Sequence, residues 1–315
     1  LDVNWLDGQR WEALIPLQPN TNVIKIEAID YGGKIIGGDE IIVMQNGTIA
    51  AAAAGTLIIS EIMYHPADSS DSEIAAGLSD SGMFEFVELA NISDGVIELE
   101  GCHFSNGIDF TFPAITLQPA QRVVVVSHAT AFLTRYGGGA RIAGVFEGSL
   151  ANGGERIRIL DRANFAIDDV SYEDRLPWPP EADGQGYSLT RIESSKQKDA
   201  EQWRPSAAVK GSPGTSDSER LADYPDPITY ALEGSRLAAF LNDDGGLSIH
   251  WSQRTAADDV KVVIEESSDL MIWNEVNDDQ VTLESAGSDG QGFREWTASL
   301  TAESPLYLRL RIAAP

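Results

Sequence analysis

Cysteine is almost missing: Cys102 stands alone in 315 residues, so no disulfide can close within the chain. Histidine is scarce as well. His65, His103, His128 and His250 lack the spacing of HExxH, His-x-His or a Cys/His zinc site, and each is expected to be a turn or sheet-face residue. Positive charge is short too, with 22 Lys and Arg against 49 Asp and Glu, for a net charge of −27. Such a surface repels phosphate backbones and anionic bilayers, which argues against nucleic-acid binding. No apolar run reaches the ~18–20 residues of a membrane-spanning helix, so no membrane insertion is expected. There is no GxSxG elbow and no phosphate-binding glycine loop; Gly137-Gly138-Gly139 reads as a helix stop, with no lysine after it. The opening, LDVNWLDGQRW, carries no signal peptide and reads as the interior of a larger protein.

Alternation is abundant. Hydrophobic content is 43%, enough for two or three packed domains. LIISEIMYHP, from Leu57, alternates until His65-Pro66, and MFEFVELAN alternates again around Glu85 and Glu88. Period two predicts strands with one face buried and one wet. RVVVVS, from Arg122, is a continuous β-branched run and predicts a central strand covered on both faces. His128 to Tyr136 reads as a helix, with Phe132 and Tyr136 four apart and Gly137 at its stop. Turn signals at Gly32-Gly33, Asp94-Gly95, Asn106-Gly107 and Asn152-Gly153-Gly154 separate the strands. The acidic insert Ala67 to Gly82 is longer than an ordinary loop and holds one helical turn at SEIAAGL. TIAAAAAG, from Thr48, reads as a linker too short for a free helix.

Several stretches carry resemblances. "SEIMYHP … FEFVELAN", "DGVIELEGCHFSNGIDFTFP" and the closing "LPWPPEADGQGYSLTRI … GSPGTSD" resemble the lamin tail domain, an immunoglobulin-like β-sandwich that bacteria append to secreted and surface proteins. The pattern in the first 48 residues, with VIKIEAIDYGG and IIVMQN, resembles the end of a bacterial immunoglobulin-like domain found beside glucodextranase-like enzymes. The alternating C-terminal strands, with VKVVIEESSDLMIW and LYLRLRI, resemble a β-sandwich of exported marine bacterial proteins. The expected fold is therefore all-β, as tandem immunoglobulin-like antiparallel β-sandwiches. The expected divisions are 1–48, a linker at 49–55, a lamin-tail-like sandwich at 56–217, a linker at 218–227, and a final sandwich at 228–315.

Candidate chemistry is sparse. Glu85 and Glu88 are an odd number of positions apart and point to opposite faces of a regular strand, so they form no acid–base pair. Glu61 and Glu85 are expected to be solvated on a wet sheet face. Calcium is the cofactor to consider, because oxygen-rich loops supply its ligands. Candidate ligands are Asp68, Asp71 and Asp80 in the insert, and Asn242, Asp243 and Asp244 before Gly245-Gly246; the competing reading is polar turns. Trp178 and Tyr187 are candidate sugar platforms, against a reading as plugs at a sandwich edge. Trp251 and Trp273 are expected in the core. The expectation is a non-catalytic tail region of a large exported bacterial protein, extracellular or at the cell surface, serving adhesion, spacing or attachment. Its partner would be a polysaccharide or cell-surface component, with catalytic or further immunoglobulin-like domains upstream in the parent chain. The alternatives are a carbohydrate-binding accessory module and a self-assembling extracellular subunit.

Overall fold

Branched and aromatic residues in alternation make strand the dominant state of the chain. The computed structural model describes residues 3–6, 10–18, 20–45, 47, 49–192, 200–232, 238–241, 247–277, 280–289, 292–300 and 307–313. These form an all-β protein of largely antiparallel sheets, in two compact units: Leu1–Ser60 with Met83–Tyr172, and Glu61–Gly82 with Glu173–Pro315. No helix of the described residues is long and apolar enough to cross a membrane.

In the first unit, the strand Arg122–Val126 pairs antiparallel with Phe86–Asn91 on one side and parallel with Ile142–Val145 on the other. Val123 to Val126 are at most 1% exposed, as a β-branched run covered on both faces requires. Each such side chain contributes roughly 1.5–3 kcal/mol through burial. The first half of the strand Leu57–Met63, up to Ser60, belongs to this unit as well. A three-stranded sheet of Ala166–Glu173, Gly154–Leu160 and His103–Asn106 belongs to the same unit. The helix Ala129–Tyr136 starts where His128 accepts from the Ala131 amide and ends at Gly137, φ 81°. Phe132 and Tyr136 pack with their rings tilted by 43° and centroids 4.9 Å apart. Phe84 sits in a 3-10 turn, Ser81–Phe84, rather than in the strand.

Two local expectations change. Leu57–Met63 and Phe86–Asn91 are buried along their whole length, polar residues included, so neither has a wet face. Within the stretch read as a linker, Ile49–Ala51 is a strand paired in parallel with Val96–Glu98; a parallel neighbour supplies the hydrogen bonds that an alanine helix would have had to make alone. The hairpin Asn20–Ile29 with Ile35–Gln45 leaves Ile36, Ile42 and Met44 exposed.

In the second unit, Thr190 pairs with Glu61 and Leu189 with Ile62, and Leu189–Arg191 pairs in turn with Trp203–Pro205. The C-terminal part has a sheet ordered Ala238–Leu241, Leu247–Arg254, Phe293–Leu300, Val281–Ser288. A second sheet is ordered Asn274–Glu275, Lys261–Ser267, Tyr307–Ala313. Ile249, Trp251, Ile264, Val276, Ala298 and Leu300 form its core. Trp251 is buried as expected, whereas Trp273 is only half-buried and lies beneath the Arg309 guanidinium, 4.3 Å from its ring centre.

Candidate functional site

The carboxylates expected on a wet face are instead inside. Glu61, Glu85 and Glu88 are at most 4% exposed. A buried carboxylate stays ionised only if donors replace its water. Each has its own set. Glu61 Oε1 accepts from Ser188 Oγ at 2.5 Å and from the Ser212 amide at 2.9 Å, and Oε2 accepts from Ser212 Oγ at 3.2 Å. Glu85 Oε2 accepts from the Leu150 amide at 2.9 Å. Glu88 Oε1 takes Ser60 Oγ at 2.7 Å and Arg122 Nη1 at 2.8 Å. Asp168, on the strand Ala166–Glu173, receives the Ile59 amide at 2.9 Å. These groups join segments far apart in sequence. Glu85 and Glu88 bind different partners and do not act as a pair.

Arg204 does the same with opposite sign. Its side chain is 8% exposed. Nε and Nη2 grip Asp258 at 2.6 and 2.8 Å, and Nη1 meets Asp217, which also receives the Ala207 amide. Burial opposes the charge, but the hydrogen bonds and charges of Asp258 and Asp217 outweigh it and raise the guanidinium pKa further. No spacing in the sequence singles out Arg204; its partners lie 13 and 54 positions away.

The histidines hold turns and sheets together. His65 Nδ1 lies 2.5 Å from Asp183, and His250 Nε2 3.2 Å from Thr297 Oγ1. Asp68, Asp71 and Asp80 are all exposed. Asp71 opens the helix Asp71–Ala75, whose Ser70–Glu73 capping box is complete, and Asp80 accepts from the Gly82 amide. Among the described residues no three His, Cys, Asp or Glu side chains group as metal ligands. Asn242, Asp243 and Asp244 lie outside the described residues.

Trp178 and Tyr187 are 5% and 6% exposed. Neither offers an open ring face as a flat platform. Trp178 packs on Trp203 with centroids 6.3 Å apart, and Tyr187 receives a hydrogen bond from Ser288. Trp178 does line a cleft of about 420 Å³ with Trp203, Thr255 and Trp296. Thr255, and Glu181 nearby, carry no motif that marks them in the sequence.

Residues 50–174 match the family model of the Lamin Tail Domain. No curated protein and no solved structure gives a significant match to the chain.

Proposed function

We propose that this chain is a non-catalytic tail region of an exported bacterial protein, which spaces a partner activity or attaches it to a surface outside the cell. One observation carries the reading: Glu61, Glu85, Glu88 and Asp168 are buried and each accepts hydrogen bonds from amides, hydroxyls or an arginine within the fold. A general acid or base needs a proton-accepting atom facing substrate. These carboxylates face strands and loops, where they lock neighbouring segments together. The lamin-tail match and an acidic chain fit a module that lives outside the cell on packing and hydrogen bonds.

The test is an assay of the intact chain against a broad polysaccharide panel, reading new reducing ends and chain length. The expected result is no turnover. Turnover abolished by replacing one carboxylate would overturn the proposal.

A further inference from the structure

Sulfur is what a mild peroxide oxidises most readily in a protein, and this chain carries it at Met44, Met63, Met83, Met271 and Cys102. Their surroundings differ widely. Cys102 is buried, and its thiol is pushed up to about 12, so it offers an oxidant almost no thiolate. Met63 is 1% exposed in the strand Leu57–Met63, and Met83 is half-buried in the 3-10 turn Ser81–Phe84. Only reach to the sulfur lets a peroxide act, which leaves Met44 and Met271.

These two are both open but are not equivalent. Met44 is 60% exposed on the hairpin, where Thr21 Oγ1 donates to its sulfur at 3.0 Å. That bond occupies a lone pair which attack on a peroxide requires. Met271 lies in the turn between the strands Lys261–Ser267 and Asn274–Glu275. Ser267 Oγ accepts from the amides of Asp269 and Leu270, and Asp269 Oδ1 from those of Met271 and Ile272, at 2.8–3.2 Å. Leu270 is held at φ +64°, a conformation that a bulky side chain adopts only when its surroundings impose it. The backbone of the turn is therefore pinned. It presents Leu270, Met271 and Ile272, at 55%, 84% and 65% exposed, as one apolar tip.

We propose that Met271 is an oxidation site of this chain, the sulfur at which a peroxide changes its surface. The thioether sulfur attacks one peroxide oxygen. A sulfur–oxygen bond forms as the oxygen–oxygen bond breaks; sulfur gives up two electrons, and the second oxygen, reduced, takes the proton and leaves as water. The product is a sulfoxide, a polar acceptor set between Leu270 and Ile272. The tip loses its apolar character while the buried core is untouched. The inference goes beyond the spacing and attachment reading and does not depend on it.

The experiment exposes the intact chain to hydrogen peroxide and follows each methionine by peptide mapping in a mass spectrometer. Met271 is expected to react first. Met44 follows roughly fivefold more slowly, the rate cost of first breaking one ordinary hydrogen bond, and Met83 and Met63 are slower still. Thr21→Val, at an exposed position, removes the donor and raises Met44 toward the Met271 rate. The singly oxidised chain elutes earlier from a hydrophobic-interaction column with an unchanged melting midpoint, and methionine sulfoxide reductases restore its retention. Met271→Leu keeps the apolar tip and loses that early change in retention. Oxidation of Met44 or Met83 as fast as Met271 in the native chain would sink the assignment. So would a melting midpoint that falls with the first oxygen added, or a Met44 rate unmoved in folded Thr21→Val.

Discussion

Gly211 lies against Glu61 so closely that a methyl group on it would overlap the carboxylate. Its φ of +70° is also one that L side chains rarely adopt. The next residue, Ser212, gives both its amide and its hydroxyl to that carboxylate. A residue without a side chain is what lets this loop close over a buried charge.

Gly211→Ala is therefore expected to cost about 2–4 kcal/mol, from the left-handed backbone and from overlap with a group that cannot retreat. Gly77→Ala makes the control. Its φ is +83° with open space around the added carbon, so only the backbone cost of about 1 kcal/mol applies. Urea denaturation at constant slope compares them; equal losses would refute the overlap.

Arg204→Met leaves the buried Asp217 and Asp258 without their counter-charge and is expected to cost about 3–5 kcal/mol. The same change on an Asp258→Asn background should cost less, because one orphaned charge has gone. Additive losses in this cycle would show that the contacts are not coupled.

Trp178→Ala is expected to act on stability, at about 3–5 kcal/mol, because the indole is buried against Trp203. A variant with an unchanged melting midpoint would contradict that placement.

Burial, helped by the charge of Asp161, pushes the Cys102 thiol up to about 12. A thiol needs its anion to react. Iodoacetamide at pH 8 should label the native chain far more slowly than the urea-unfolded chain. The sign for stability follows. With the folded value raised above the unfolded ~8.5, the contribution is complete below about pH 8.5 and is lost as pH climbs toward 12. Rapid labelling of folded protein would end this account.

Glu265 shifts the other way. Its hydrogen bond to Arg311 holds the carboxyl below the usual carboxylate range against the opposing effect of burial, and Arg309 adds to it. A depressed folded value gives stability that is present above the unfolded pKa of about 4.3 and is lost as pH falls through the folded one. Melting midpoints below about pH 4.3 should fall more steeply for the native chain than for Glu265→Gln, and added salt should narrow the gap. Parallel curves would rule this out.

Much of the fold could be read from local pattern. Arg122 to Val126 announced a strand covered on both faces, because β-branched residues in an unbroken run leave no wet side. The helix at Ala129–Tyr136 was legible from Gly137 and from the spacing of Phe132 and Tyr136. The cleft beside Trp178 was not legible. Trp178 was visible as an aromatic among prolines, but Thr255 and Glu181 look like any loop threonine and glutamate until folding gathers them around Leu176 and Arg294.

By itself the sequence determined the main strands, most of the turns between them and that the chain is all-β, since each depends on neighbours within a few residues. Only the tertiary structure decided that Glu61 is a buried clasp. Its donors, Ser188 and Ser212, stand 127 and 151 positions away. Alternation reports which side chains share a face; whether that face meets water depends on what the distant chain lays over it.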